Sequence, residues 1–148
     1  MAASRIAQTL AGHRLIALDT CVLIYHLEGH EQLGPAARDV LTHVQDGRCQ
    51  AVLSTLALLE LQVGAYRNGP EDLANRYYAS LSAVPNVTWI PVTYSLADLA
   101  AQIRARHGIP TPDAIHLATA IETRATLFVT NDRSLPDLPG LEYALLGR

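Results

Sequence analysis

The sequence contains no lysine: all 11 basic residues are arginine, set against 14 acids for a formal charge of −3. Proteins that coat nucleic acid carry a strong basic excess, so the balance excludes that class. It leaves room for an enzyme that grips one stretch of a strand through a local patch. Cysteine is scarce too. Cys21 and Cys49 form no CxxC pair and cannot make a zinc site by themselves. Residues 1–12 carry one Arg and an apolar stretch broken by Gln8 and Thr9, too weak for a secretory leader. A cytoplasmic protein with two reduced thiols is the expectation. Long apolar runs are also missing. The longest, Leu15–Leu18 and 22–25, are parted by Asp19 and far too short to cross a bilayer, so no membrane role is expected.

What is present is a chain of 148 residues, 49% hydrophobic and 17% charged, which predicts one packed domain without disorder. Short apolar runs at 15–18, 51–53, 87–92, 127–129 and 142–146 read as strands, the third ending early or lying at an edge because Pro91 falls within it. Between them, helical spacing covers 22–27, a segment starting near Pro35 and closed by Gly47, 54–67 with Ser54 as N-cap, 71–82, and 95–107. A last helix opens on Thr111, Pro112 and Asp113 as N-cap, first position and first-turn acid, and runs to about Ala125. The alternation predicts an α/β fold with a mostly parallel central sheet of four to five strands flanked by helices. Residues 14–148 form the domain; residues 1–13 read as an N-terminal extension whose role is open.

Most of the acids lie near turns, where solvent explains them, but four do not. Asp19 directly follows the run Leu15–Leu18, and Asp132 follows 127–129 through Thr130 and Asn131. Open α/β sheets bind ligands just beyond the carboxyl ends of their strands. Glu60 has Leu56, Ala57, Val63 and Gly64 as helical neighbours, so its carboxylate needs a positive partner to offset desolvation. Asp113 opens a helix that is nearly apolar all round. Singly, these residues read as caps, dipole partners or turn residues. Jointly, two carboxylates about 4 Å apart repel by up to ~4 kcal/mol at an effective dielectric of ~20, so a cluster of four requires a cation or retained protons. Oxygen-only ligands suit Mg²⁺ or Mn²⁺, and such ions serve phosphodiester hydrolysis.

Four segments, in order, resemble a PIN domain of the VapC toxin type. They are Leu18-Asp19-Thr20-Cys21-Val22, Ser-Thr-Leu-Ala-Leu-Leu-Glu at 54–60, Pro-Asp-Ala-Ile-His-Leu-Ala-Thr-Ala at 112–120, and Thr130-Asn131-Asp132. The resemblance implies a ribonuclease that hydrolyses single-stranded RNA with Mg²⁺ or Mn²⁺. Asp19 and Asp113 would be the principal metal ligands, with Glu60 and Asp132 completing the acidic pocket, and Thr20, Thr130 and Asn131 would hold those carboxylates by hydrogen bonds. It also implies a homodimer, a small VapB-type antitoxin, and no DNA binding by this chain alone. Cys21 departs from the Asn or Ser common at its place.

Other features are weaker. His26 and His30 flank Glu28 in an arrangement that is not HExxH, and they read as loop or helix-end residues. His116, one turn after Asp113, is placed either to hydrogen-bond that acid or to pack on the sheet. Arg133, Arg106 and Arg67 are candidates to meet RNA phosphate, with Arg133 foremost because it adjoins Asp132; for Arg104 and His107 a solvated helix face is the default. Tyr66, Tyr77, Tyr78 and Trp89 suit a core or dimer interface better than a base-stacking platform. Three rivals remain. A haloacid-dehalogenase-like phosphatase needs a second Asp where Cys21 stands, and a phospho-accepting receiver domain needs a late Lys. The third is an inactive PIN-like scaffold acting by protein contacts, against which the four intact acids weigh.

Overall fold

The computed structural model describes residues 4–147. Five strands form one sheet: β1 (Leu15–Leu18), β2 (Gln50–Ser54), β3 (Val87–Ile90), β4 (Leu127–Thr130) and β5 (Glu142–Leu145). Their order is β3-β2-β1-β4-β5 and every neighbouring pair is parallel. The sheet is therefore wholly parallel; β3 lies at an edge and stops at Ile90, just before Pro91, short of the 87–92 run. Around it pack α1 (Arg5–Leu10), α2 (Thr20–Leu27), α3 (Gly34–Gln45), α4 (Thr55–Asn68), α5 (Leu73–Ser82), α6 (Tyr94–His107) and α7 (Thr111–Thr123).

Strand alternation divides the interior in two. Ile16, Leu18, Ala51, Leu53, Leu127 and Val129 point to one face, where α1 to α5 cover them. Ala17, Val52 and Phe128 point to the other, beneath α6 and α7. With both faces covered, the interiors of these strands are apolar, and β2 and β4 end on the buried polar residues Ser54 and Thr130.

The chain winds from β1 outward through β2 to β3, then returns to the opposite side of β1 for β4 and β5. The switch point falls between β1 and β4, and the crevice outside it is where Asp19 and Asp132 emerge. The register joins them: the Asp19 backbone N–H donates to the Val129 carbonyl at 2.9 Å.

Helix starts differ from the sequence reading for local reasons. Asp19 caps α2 by accepting from the Thr20 N–H, so that helix begins at Thr20 and not at Val22. Pro110, extended at ψ 153°, takes the cap position of α7, and Thr111 is already helical. α5 begins at Leu73, after a turn in which the Leu73 N–H donates to the Pro70 carbonyl. The 1–13 segment holds a helix of its own. Ser4 caps α1, and Ile6 and Leu10, four residues apart, are buried in the core cluster.

Candidate active site

Four chain segments bring the candidate acids to the carboxyl edge of the sheet. Asp19 is the most firmly held. Its Oδ1 accepts from the Thr20 N–H at 2.8 Å and its Oδ2 from the Thr130 hydroxyl at 2.7 Å. Thr130 is fully buried and also accepts from the Asp132 N–H at 3.1 Å, so one hydroxyl ties the β1 acid to the β4 acid. A hydroxyl is chosen here because it donates and accepts at once.

Glu60, from α4, is met by two donors. Its Oε1 lies 2.6 Å from His116 Nε2 and accepts from the Thr20 hydroxyl at 2.8 Å. An ionised carboxylate only accepts, so Nε2 must carry the proton. The His116 bond, helped by Thr20, holds the Glu60 carboxyl below the usual range against the opposing push of burial. The positive-leaning partner that the apolar neighbours of Glu60 demanded is thus His116 of α7. His116 is itself buried, and its Nδ1 has no hydrogen-bond partner among the described residues. The alternative pairing of His116 with Asp113 is corrected: the bond goes across to α4, not along α7.

Asp113 has no such support. Burial and the charges of Asp19, Asp132 and Glu60 raise its carboxyl above the ordinary value, with only the nearby His116 opposing them. Charge coupling thus links Asp113 to each of the other three acids. Asp132 is tied back through a turn, its Oδ1 accepting from the Ser134 N–H at 2.8 Å and the Ser134 hydroxyl at 2.5 Å.

Of the supporting residues, the Thr20 and Thr130 hydroxyls donate to Glu60 and Asp19, while the Asn131 amide oxygen is turned to the chain after β5. That oxygen accepts from the Gly147 N–H at 3.1 Å. Cys21 is pushed up to about 12 by burial and by the Asp19 charge, so its thiol stays neutral. Sequence reasoning missed Ser134, which a short Asp-x-Ser turn signals, and the reach of His116 to Glu60, which only tertiary packing decides. Arg133 is exposed beside Asp132. Arg67 and Arg106 are exposed in the last turns of α4 and α6, where they complement the helix ends. Tyr77 and Trp89 pack partly against the core, while Tyr66 and Tyr78 are exposed. His30 is exposed and turns its Nδ1 onto the Gln32 and Leu33 N–H groups.

A model of the PIN domain matches residues 16–141. The chain belongs to the PIN domain family. Solved structures agree in fold. A toxin–antitoxin complex from Klebsiella pneumoniae is 24% identical with a TM-score of 0.67, over 85% of this chain and 94% of that one. VapBC2 from Rickettsia felis, bound to a DNA fragment from its promoter, is 17% identical with a TM-score of 0.71, over 88% and 98%. DNA-bound VapBC from Salmonella typhimurium is 19% identical with a TM-score of 0.66, over 90% and 98%. No curated protein matches the sequence. The PIN domain assignment sets aside the phosphatase and receiver readings. No helix among the described residues is long and apolar enough to cross a membrane.

The donors suit a hard cation. All four acids offer oxygen, and Asp113 stands where positive charge relieves the most repulsion. No group of three His, Cys, Asp or Glu side chains among the described residues is drawn in tightly enough to encage an ion.

Proposed function

We propose that this PIN domain is a Mg²⁺- or Mn²⁺-dependent endoribonuclease that hydrolyses single-stranded RNA, and that it is the toxin of a toxin–antitoxin pair. The observation that carries the reading is the pairing of Asp19 and Asp132 at the switch point through one buried Thr130 hydroxyl, beside an Asp113 carboxyl that burial first, and then the charges of Asp19, Asp132 and Glu60, hold above its ordinary value. Asp19 and Asp113 would hold the ion, with Glu60 and Asp132 completing the acidic pocket. The bound ion would polarise the phosphate and lower the pKa of its water.

The chain's own residues do the positioning. Thr20 and Thr130 fix both oxygens of Asp19 before any ligand arrives. His116 and Thr20 keep Glu60 ionised through Oε1, leaving Oε2 to accept from a water molecule and orient it. Arg133 lies beside the acids to meet RNA phosphate. For a protein partner, α4 presents Leu59, Val63 and Tyr66 on one exposed stripe. This face suits docking of a second copy or of a VapB-type antitoxin, in keeping with the toxin–antitoxin complex named for the Klebsiella pneumoniae neighbour.

Purified protein should cleave unstructured RNA with Mg²⁺ or Mn²⁺ and stop in EDTA. Asp19→Asn and Asp113→Asn should each abolish cleavage. Full activity in either variant, or in EDTA, overturns the reading.

A further inference from the structure

A cleft of about 430 Å³ opens beside the acids, between α1, the loop after β4 and the carboxyl half of β5. Arg5 and Ile6 of α1 line one side; Asp132, Arg133, Leu135 and Asp137 line the loop side. Asp132 belongs both to this cleft and to the acid cluster, so the two spaces adjoin. Arg5 and Arg133 are exposed, and neither has an acid partner among the described residues. Ile6 and Leu135 supply apolar wall, and the volume is in the range of pockets for small organic ligands.

The charges select the ligand class. Two arginines face two aspartates, so a bare anion gains little from the cleft as a whole. A ligand with phosphate at one end and a flat, hydrogen-bonding ring at the other matches both halves. Guanidinium meets phosphate, apolar wall meets ring face, and a free aspartate oxygen accepts from a ring amino group. We infer that this cleft seats a nucleotide of single-stranded RNA next to the one held at the acids, with Arg5 of the N-terminal helix as a phosphate contact. The inference rests on the nuclease reading above and gives the N-terminal segment a role in substrate binding.

The test uses a short fluorescently labelled single-stranded RNA, read by anisotropy across a salt series and by steady-state cleavage. Arg5→Ala should weaken binding about fivefold and lower the salt-dependence slope by about 0.7, the value for one phosphate contact on a single strand. Arg5→Glu should weaken it further, Arg5→Lys should keep most of the affinity, and the effect should fall on KM more than on kcat. Arg14→Ala, at the opposite end of β1, should match wild type. Wild-type cleavage together with unchanged affinity, KM and salt slope in Arg5→Ala and Arg5→Glu overturns the inference while sparing the nuclease reading. Loss of binding to a glutamate-rich peptide with RNA affinity intact overturns it too, and assigns the cleft to a protein tail. A wild-type protein that never cleaves RNA removes the reading beneath it.

Discussion

Replacing Asp113 with Asn should stabilise the metal-free protein and destabilise it relative to wild type once metal is present. In EDTA the ionised Asp113 carboxyl suffers burial and the repulsion of Asp19, Asp132 and Glu60. One carboxylate pair at about 4 Å costs ~4 kcal/mol at an effective dielectric of ~20, but only ~1 kcal/mol in water. Asp113 is partly open to solvent, so screening removes most of the larger figure. Roughly 0.5 kcal/mol of favourable interaction with the amino end of α7 goes with the charge. The net gain is about 1 kcal/mol. Unfolding entropy near 2.1 cal/mol/K per residue gives ~0.3 kcal/mol/K for a chain of 148 residues, so Tm should rise by about 3 °C. Mn²⁺ at a hundred times its Kd adds about 2.7 kcal/mol to wild type, roughly 9 °C, and far less to the variant. The order of the two melting curves therefore reverses on adding metal. The pH dependence has a definite sign. A raised folded-state pKa leaves no penalty below the unfolded value, about 3.9, and imposes it in full as pH rises through the folded value. The gap between variant and wild type in EDTA should thus be small near pH ~4 and complete at pH ~7–8. Thermal melts followed by circular dichroism settle the matter. A variant that melts below wild type in EDTA, or that keeps the whole Mn²⁺ shift, refutes the reasoning.

Thr130→Val keeps the shape but removes the donor to Asp19 and the acceptor for the Asp132 N–H; about 1–2 kcal/mol of stability should be lost in denaturant titration. RNA cleavage should fall roughly 10–100-fold with it. His116→Leu frees Glu60 from the bond that depresses its pKa, so the acid limb of the cleavage–pH profile should move to higher pH. The depressed carboxyl contributes stability above its unfolded pKa that is lost as pH falls through the folded value, and the variant should lack that loss. Leu10→Ala should cost about 2–5 kcal/mol by chemical denaturation, because this side chain is completely enclosed although it lies ahead of the first strand.

The parts of the structure written in local pattern were legible from sequence. Apolar runs of strand length, Ser54 at a cap and Pro91 at a strand end each report a physical constraint that acts within a few residues. The four acids were legible for a related reason, since a carboxylate directly after a buried strand or on an apolar stripe is costly in isolation. Residues whose partners come from another part of the chain were not. His116 is three residues from Asp113 in sequence, yet α4 packs close enough that Glu60 claims it. Asn131 follows the strand as a carboxylate holder should, yet the returning chain at Gly147 captures its side chain first. The N-terminal helix was obscured by its brevity. Six residues with two buried side chains carry little periodicity, and only the groove that receives Ile6 and Leu10 makes them a helix.

Asp19 and Asp113 differ in how they are anchored. Both oxygens of Asp19 are clamped by donors from the backbone and Thr130, while Asp113 has no hydrogen bond to hold its carboxylate among the described residues. If Asp19 and Asp113 hold an ion as proposed, it would meet one fixed carboxylate and one free to turn. Cations of different radius would then be accommodated by turning Asp113, so the protein should tolerate exchange of Mg²⁺ for the larger Mn²⁺ while Asp19 stays in place.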